Sequence, residues 1–151
     1  MRISIKKLPI NINRSKFIKA AKFYINQLIS DKIANQLIIY IEFIEMDEGD
    51  YAEMGWLDDN LNPREFYINI SHKLKWKNIL ISLAHEIIHI KQHVKREVFD
   101  YLKQINISRW KNKKYNIDIV PYEKRPWEIE AARLDSVLYR KFLLLDIPRS
   151  L

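Results

Sequence analysis

The chain has 151 residues, 48% of them apolar and 30% charged, which suits one globular domain with a buried core. It contains no cysteine, which excludes disulfides and every metal site built on thiolates. The net charge of +7 is spread along the chain and implies at most weak, non-specific attraction to nucleic acid. With neither an apolar run of about 18 residues nor a secretory-type start, a cytoplasmic protein without a membrane segment is expected.

Residues 2–12 alternate loosely through Ile3, Ile5, Ile10 and Ile12 and predict a strand or extended arm broken near Pro9. Ser15 reads as the N-cap of a helix over residues 16–32. Phe17, Ile18, Ala21, Tyr24, Ile25, Leu28 and Ile29 share one face of it, with Lys16, Lys19, Lys22 and Asn26 turned outward. Residues 37–46, rich in β-branched and aromatic side chains, predict a strand. The acidic run Asp47-Glu48-Gly49-Asp50 reads as a turn, residues 51–57 as a short strand, and residues 64–70, after Pro63, as a third. Short turns between them predict an antiparallel meander packed on the first helix.

From Trp76 to about Lys95 the period is again helical, with Ile79, Leu80, Leu83, Ile87, Ile90 and Val94 in one stripe. No glycine or proline decides whether that helix continues through residues 97–102. Residues 106–125 predict a loop or hairpin with its turn at residues 111–114. Arg125-Pro126 then opens a last helix that runs to about residue 145 and stops before Pro148. The sum is one α+β domain over residues 1–151 with a small, mostly antiparallel sheet.

The chemistry lies in the second long helix. His85-Glu86-Ile87-Ile88-His89 reads H-E-x-x-H, and residues four apart on a helix share a face about 6 Å apart along the axis. Two imidazoles so placed converge on one metal ion, and Glu86 beside them can act as the base for a metal-activated water. Catalytic zinc asks for a third protein ligand. The chain has only four histidines, His72, His85, His89 and His93. His93 lies about 12 Å along the helix from His85, too far to share an ion, and His72 precedes the helix. A carboxylate is left, from among Glu97, Asp100, Asp118, Glu123, Glu128, Glu130, Asp135 and Asp146.

The last helix has the best geometry. Glu128 shares a face with Ala131, Ala132 and Asp135, so the two alanines allow close helix approach and Asp135 can hydrogen-bond a ligand histidine. Glu128 is the expected ligand, Glu130 the fallback. Tyr115, Tyr122 and His93 are candidate oxyanion donors, and the strand ending at Ile70 is the expected edge for an extended peptide.

His85–Gln92, Trp110 and the stretch from Tyr122 to Ala131 resemble small metallopeptidases predicted in phage and bacterial genomes, compact gluzincins similar in pattern to the ImmA/IrrE-type peptidases. The resemblance covers roughly residues 76–140. In those proteins a downstream helix carries Glu-x-x-Ala, which here matches Glu128-Ile129-Glu130-Ala131; where relatives often have Asn or Asp next, this chain has Ala132. SprT-like proteins share H-E-x-x-H but use a third histidine, for which this chain has no suitable residue. The resemblance implies a zincin-like fold and one Zn²⁺ held by His85, His89 and Glu128. It also implies hydrolysis of a peptide or protein substrate with Glu86 as base. The alternative expectation is a non-catalytic metal-binding module that engages DNA or a host protein through basic surface.

Overall fold

The computed structural model describes residues 1–146, of Asp146 the backbone only, so the expected helix stop before Pro148 lies outside the described residues. The chain opens with strand β1 (Arg2–Lys6) and enters helix α1 (Arg14–Leu28) through Asn13, not Ser15. Asn13 sits in the extended region and its Oδ1 accepts the Lys16 N–H at 2.9 Å, which satisfies a donor the helix leaves open. Helix α1 also stops earlier than its periodicity suggests. Ile29 turns extended, Ser30 takes the N-cap position of a second helix, and α2 (Asp31–Ala34) follows with Asp31 in its first turn.

The strand order corrects the meander. Strands β2 (Ile38–Ile44), β3 (Ala52–Trp56) and β4 (Glu65–Ser71) join β1 in one mixed sheet with the order β1-β2-β4-β3. β1 pairs with β2, and β2 with β4, in parallel; only β3 and β4 are antiparallel. Helices α1 and α2 carry the chain from β1 to β2, as a parallel crossover requires. β4 lies inside the sheet because Phe66, Ile68 and Ile70 are all fully buried there. β3 carries Glu53 and Gly55, has no fully buried residue, and is left at the edge. The strand ending at Ile70 is therefore not the free edge that the sequence suggested. β3 is.

The helices cover one face of this sheet. Ile39, Ile41 and Phe43 of β2 and the three buried residues of β4 meet Phe17, Ala21, Tyr24 and Ile25 of α1 and the apolar stripe of α3 (Trp76–Val94). Phe17 and Phe43 stack at 5.5 Å between ring centroids. Helix α4 (Pro126–Asp146) closes the layer through Ala131, Leu138 and Phe142.

α3 ends at once after Val94. Arg96 takes a left-handed φ of 57°, its N–H donates to the His93 carbonyl, and the Glu97 N–H reaches back to Gln92. This is the helix stop that glycine usually makes, here made by arginine. Residues 97–102 consequently leave the helix, and a small antiparallel sheet follows, β5 (Val98–Asp100), β6 (Ile107–Trp110) and β7 (Lys113–Asn116). The hairpin turn is narrower than expected: Lys111 takes φ 54°, and Lys113 and Lys114 already belong to β7. Among the described residues no helix is long and apolar enough to cross a membrane.

Tyr67 shows how the edge strand is held. It stands opposite Gly55 in the β3–β4 register, and a Cβ at position 55 would lie 2.6 Å from its Cε1. The ring thus covers the glycine, a packing that supports a strand otherwise weakened by a residue without a side chain. Gly55→Ala is expected to cost about 1 kcal/mol, the low end for overpacking, because the half-buried ring can swing outward. In a Tyr67→Ala background the same substitution should cost little, as read by urea unfolding of both pairs. An equal cost in both backgrounds would place the strain in the backbone instead.

Candidate metal centre

Helix α3 presents His85 and His89 one turn apart, with ring centroids 4.8 Å from each other. The first turn of α4 brings Glu128 against both. Its Oε2 lies 3.1 Å from His85 Nε2, and its Oε1 3.1 Å from His89 Nε2. The three side chains offer ligand atoms that all lie within 4.8 Å of one another. Ala84 on α3 and Ala131 on α4 are both fully buried.

The other ring nitrogens are also engaged. His85 Nδ1 meets Asp135 Oδ2 at 3.1 Å, one helical face along α4 from Glu128. His89 Nδ1 meets Gln92 Oε1 at 2.8 Å. With Nδ1–H donated outward in each ring, both Nε2 atoms are left facing Glu128. Gln92 is itself fully buried and held by two acceptors, the Trp127 carbonyl at 3.0 Å and Glu130 at 3.1 Å. Because Nε2 of the amide donates to both, its Oε1 has to be the atom that faces His89.

This donor set fits a metal ion. Bonds of about 2.1 Å in a tetrahedron put ligand atoms about 3.4 Å apart. The 3.1 Å contacts from Glu128 to the two imidazoles need only a small outward relaxation to reach that spacing. His85, His89 and Glu128 could therefore hold one ion.

Glu130 is not brought into this group. Its carboxylate lies 2.6 Å from Lys91 Nζ, which also holds Glu97 at 2.8 Å, on the side of α3 away from the ligand atoms. The fallback ligand is thus a structural ion pair that braces Gln92. Tyr115 lies against the Trp127 ring at 6.0 Å and does not line the cleft. His93 does line it, but stacks on Trp56 at 5.1 Å and takes no part in the cluster. His72, Asp118 and Glu123 are exposed elsewhere.

A cleft opens over the cluster in two compartments. One, of about 280 Å³, lies along His89 and His93, and the other, of about 650 Å³, along His85 and Ser82. Ala52 of the edge strand, Glu86 and Tyr122 line both. Glu86 is 6% exposed, and among the described residues no donor reaches its carboxylate. Burial pushes its pKa up, helped by the nearby Glu128 and Glu53 and opposed by the two histidines. Burial raises the pKa of the Tyr122 phenol, helped by the neighbouring carboxylates of Glu128 and Glu86. Sequence reasoning missed Gln92, whose signal was its place three residues after His89 on the same helical face. It also missed Asp100 and Trp56 as parts of the cleft wall.

No family model, curated protein or solved structure matches this chain. The reading of the site therefore rests on its own geometry.

The metal-free electrostatics are specific. Burial alone would lower the His85 pKa, but hydrogen bonds to Asp135 and Glu128 and the charges of Glu86 and Glu128 outweigh it and lift the imidazole to about 10. His89 is also raised, mainly because Glu128 overcomes burial. Burial would raise Glu128, but the two imidazoles and Tyr122 hold it well below the usual carboxylate range. His93, by contrast, is pushed down to about 4 by burial.

A folded pKa above the unfolded value of about 6.5 stabilises the fold fully below that pH. The contribution is lost as pH rises through about 10 for His85. The metal-free protein should therefore melt at a lower temperature at pH 10 than at pH 6.5, and the metal-loaded protein should show a smaller drop. Metal binding at pH 7 should release protons, seen by calorimetry as a heat that varies with the ionisation enthalpy of the buffer. Binding heats independent of buffer would contradict protonated imidazoles in the metal-free site.

Proposed function

We propose that the protein is a zinc-dependent peptidase of compact gluzincin type, with a zincin-like arrangement of helix, edge strand and downstream glutamate. The observation that carries this reading is Glu86, a buried carboxylate that no donor reaches among the described residues, lining an open cleft beside a two-imidazole, one-carboxylate cluster. A purely structural carboxylate at 6% exposure would be paired or hydrogen-bonded. Zinc is the metal that best suits two imidazoles and a carboxylate in a tetrahedral set without thiolates.

In this reading His85, His89 and Glu128 hold the ion, with Asp135 and Gln92 fixing the rings through Nδ1. Zinc held there would supply a Lewis acid toward water and a substrate carbonyl. Glu86 accepts the proton of the attacking water and returns it to the leaving amine. Its raised pKa suits a group that must both take and give a proton near neutrality. Tyr122, at the junction of the two compartments, is the donor best placed for the oxyanion. The outer edge of β3 pairs with no other strand among the described residues, and Ala52 borders the cleft. An extended peptide can hydrogen-bond along that edge, so β3 replaces the strand ending at Ile70 as the substrate rail.

The test pairs metal content with hydrolysis of a fluorogenic peptide mixture. Glu86→Gln should keep one zinc per chain and lose activity by about 100-fold or more. Glu128→Ala should lose zinc beyond the ~10–100-fold affinity drop that removal of an outer partner such as Asp135 causes. Glu130→Ala should keep zinc with at most the affinity drop of an outer-partner loss, and should lose stability. Full zinc in Glu128→Ala, or unchanged hydrolysis in Glu86→Gln, would overturn the reading.

A further inference from the structure

The chain carries 26 lysines and arginines against 19 acidic residues, yet among the described residues no lysine or arginine lines the compartment beside His89. Away from the metal cluster its lining includes Met54, Trp56, Val98 and Trp127, with two acids, Asp100 and the exposed Glu53, which already accepts from Asn69. Asp100 belongs neither to the metal cluster nor to the edge strand. Ser108 donates its hydroxyl to Oδ1 at 2.6 Å, and Asn60 donates to the main-chain carbonyl at 3.2 Å. These neutral contacts fix the carboxylate without cancelling its charge. Among the described residues Asp100 forms no ion pair with a lysine or arginine, and no donor reaches its Oδ2.

We infer that this compartment receives a lysine or arginine side chain of the substrate, from a residue next to the scissile bond, with Asp100 as the specificity-determining residue. The volume of about 280 Å³ suits one long side chain. The methylene stem lies against Met54 and Val98, and the indoles of Trp56 and Trp127 attract the cationic head. Asp100, half-buried at the compartment wall, then pairs with that head through a charge-assisted hydrogen bond. An apolar substrate side chain would leave Asp100 desolvated and unpaired, and an acidic one would be repelled. The inference rests on the peptidase reading for the substrate being a peptide, while the pocket itself can be probed without turnover.

Zinc-loaded Glu86→Gln protein is titrated with blocked peptides in which one position is lysine, arginine, norleucine or glutamate, and wild type is assayed for their cleavage. Lysine and arginine peptides should bind about tenfold or more tightly than norleucine peptides, with glutamate weakest. Asp100→Asn should remove most of that preference while norleucine peptides bind within about twofold of before. Asp100→Lys should reverse it toward glutamate. If such a variant fails to keep zinc and fold, Ser108→Ala, which frees the carboxylate from its positioning contact, should weaken the preference. Cleavage without a basic preference overturns this inference and leaves the peptidase reading standing. Binding with the preference but no cleavage by wild type overturns the peptidase reading and supports the pocket. No binding of any peptide overturns both.

Discussion

The bridge from Glu128 to His85 and His89 is the constraint on which the rest of the molecule turns. It joins the first turn of α4 to the middle of α3, two elements that also meet through His85–Asp135, Lys91–Glu130 and the Gln92 amide. A carboxylate this buried is tolerable only if partners replace its lost hydration. The two imidazoles do so, and their position dictates how close the helices come. Asp135, two turns along α4, meets the outer nitrogen of His85.

The two histidines are supported in chemically different ways. His85 leans on a carboxylate, which makes its ring the more electron-rich. His89 leans on the neutral amide of Gln92, whose orientation is imposed by Glu130 and the Trp127 carbonyl. Glu130 is in turn neutralised by Lys91, which Glu97 also holds. A buried ion pair on the far side of α3 thereby fixes a ring on the near side. Breaking that pair would act on the site through Gln92 rather than through any ligand atom.

Much of this was legible in the chain because it depended on helical period alone. The motif fell on a helix, and counting turns was enough to separate His93 from His85; in the structure His93 rests on Trp56 instead. Elimination among so few histidines pointed to the acids of the last helix, and the face Glu128 shares with two alanines and Asp135 favoured it while leaving Glu130 as the fallback. That choice depends on how the two helices rotate against each other, which no single helix encodes. Strand order failed for a related reason: β2, β3 and β4 are similar in length, and burial across partners, not local propensity, put β4 inside. The stops were hidden by composition. With two glycines in the whole chain, left-handed turns fall on Lys7, Arg96 and Lys111, residues that carry no turn signal.

The charge balance of the cluster explains how one fold can serve with and without an ion. Glu86, Glu128 and Asp135 bring three acidic groups to His85 and His89. Without compensation, mutual repulsion among them would oppose the packing of α4 on α3. In the metal-free chain both imidazoles are pushed toward their charged form, His85 up to about 10, which offsets part of that repulsion. A divalent ion at the same place would supply positive charge in their stead, so metal would compete with protons for the cluster. The same argument assigns Glu86 its separate position: it feels both imidazoles and Glu128 through space, yet forms no bond to either, and so stays available to whatever enters the cleft.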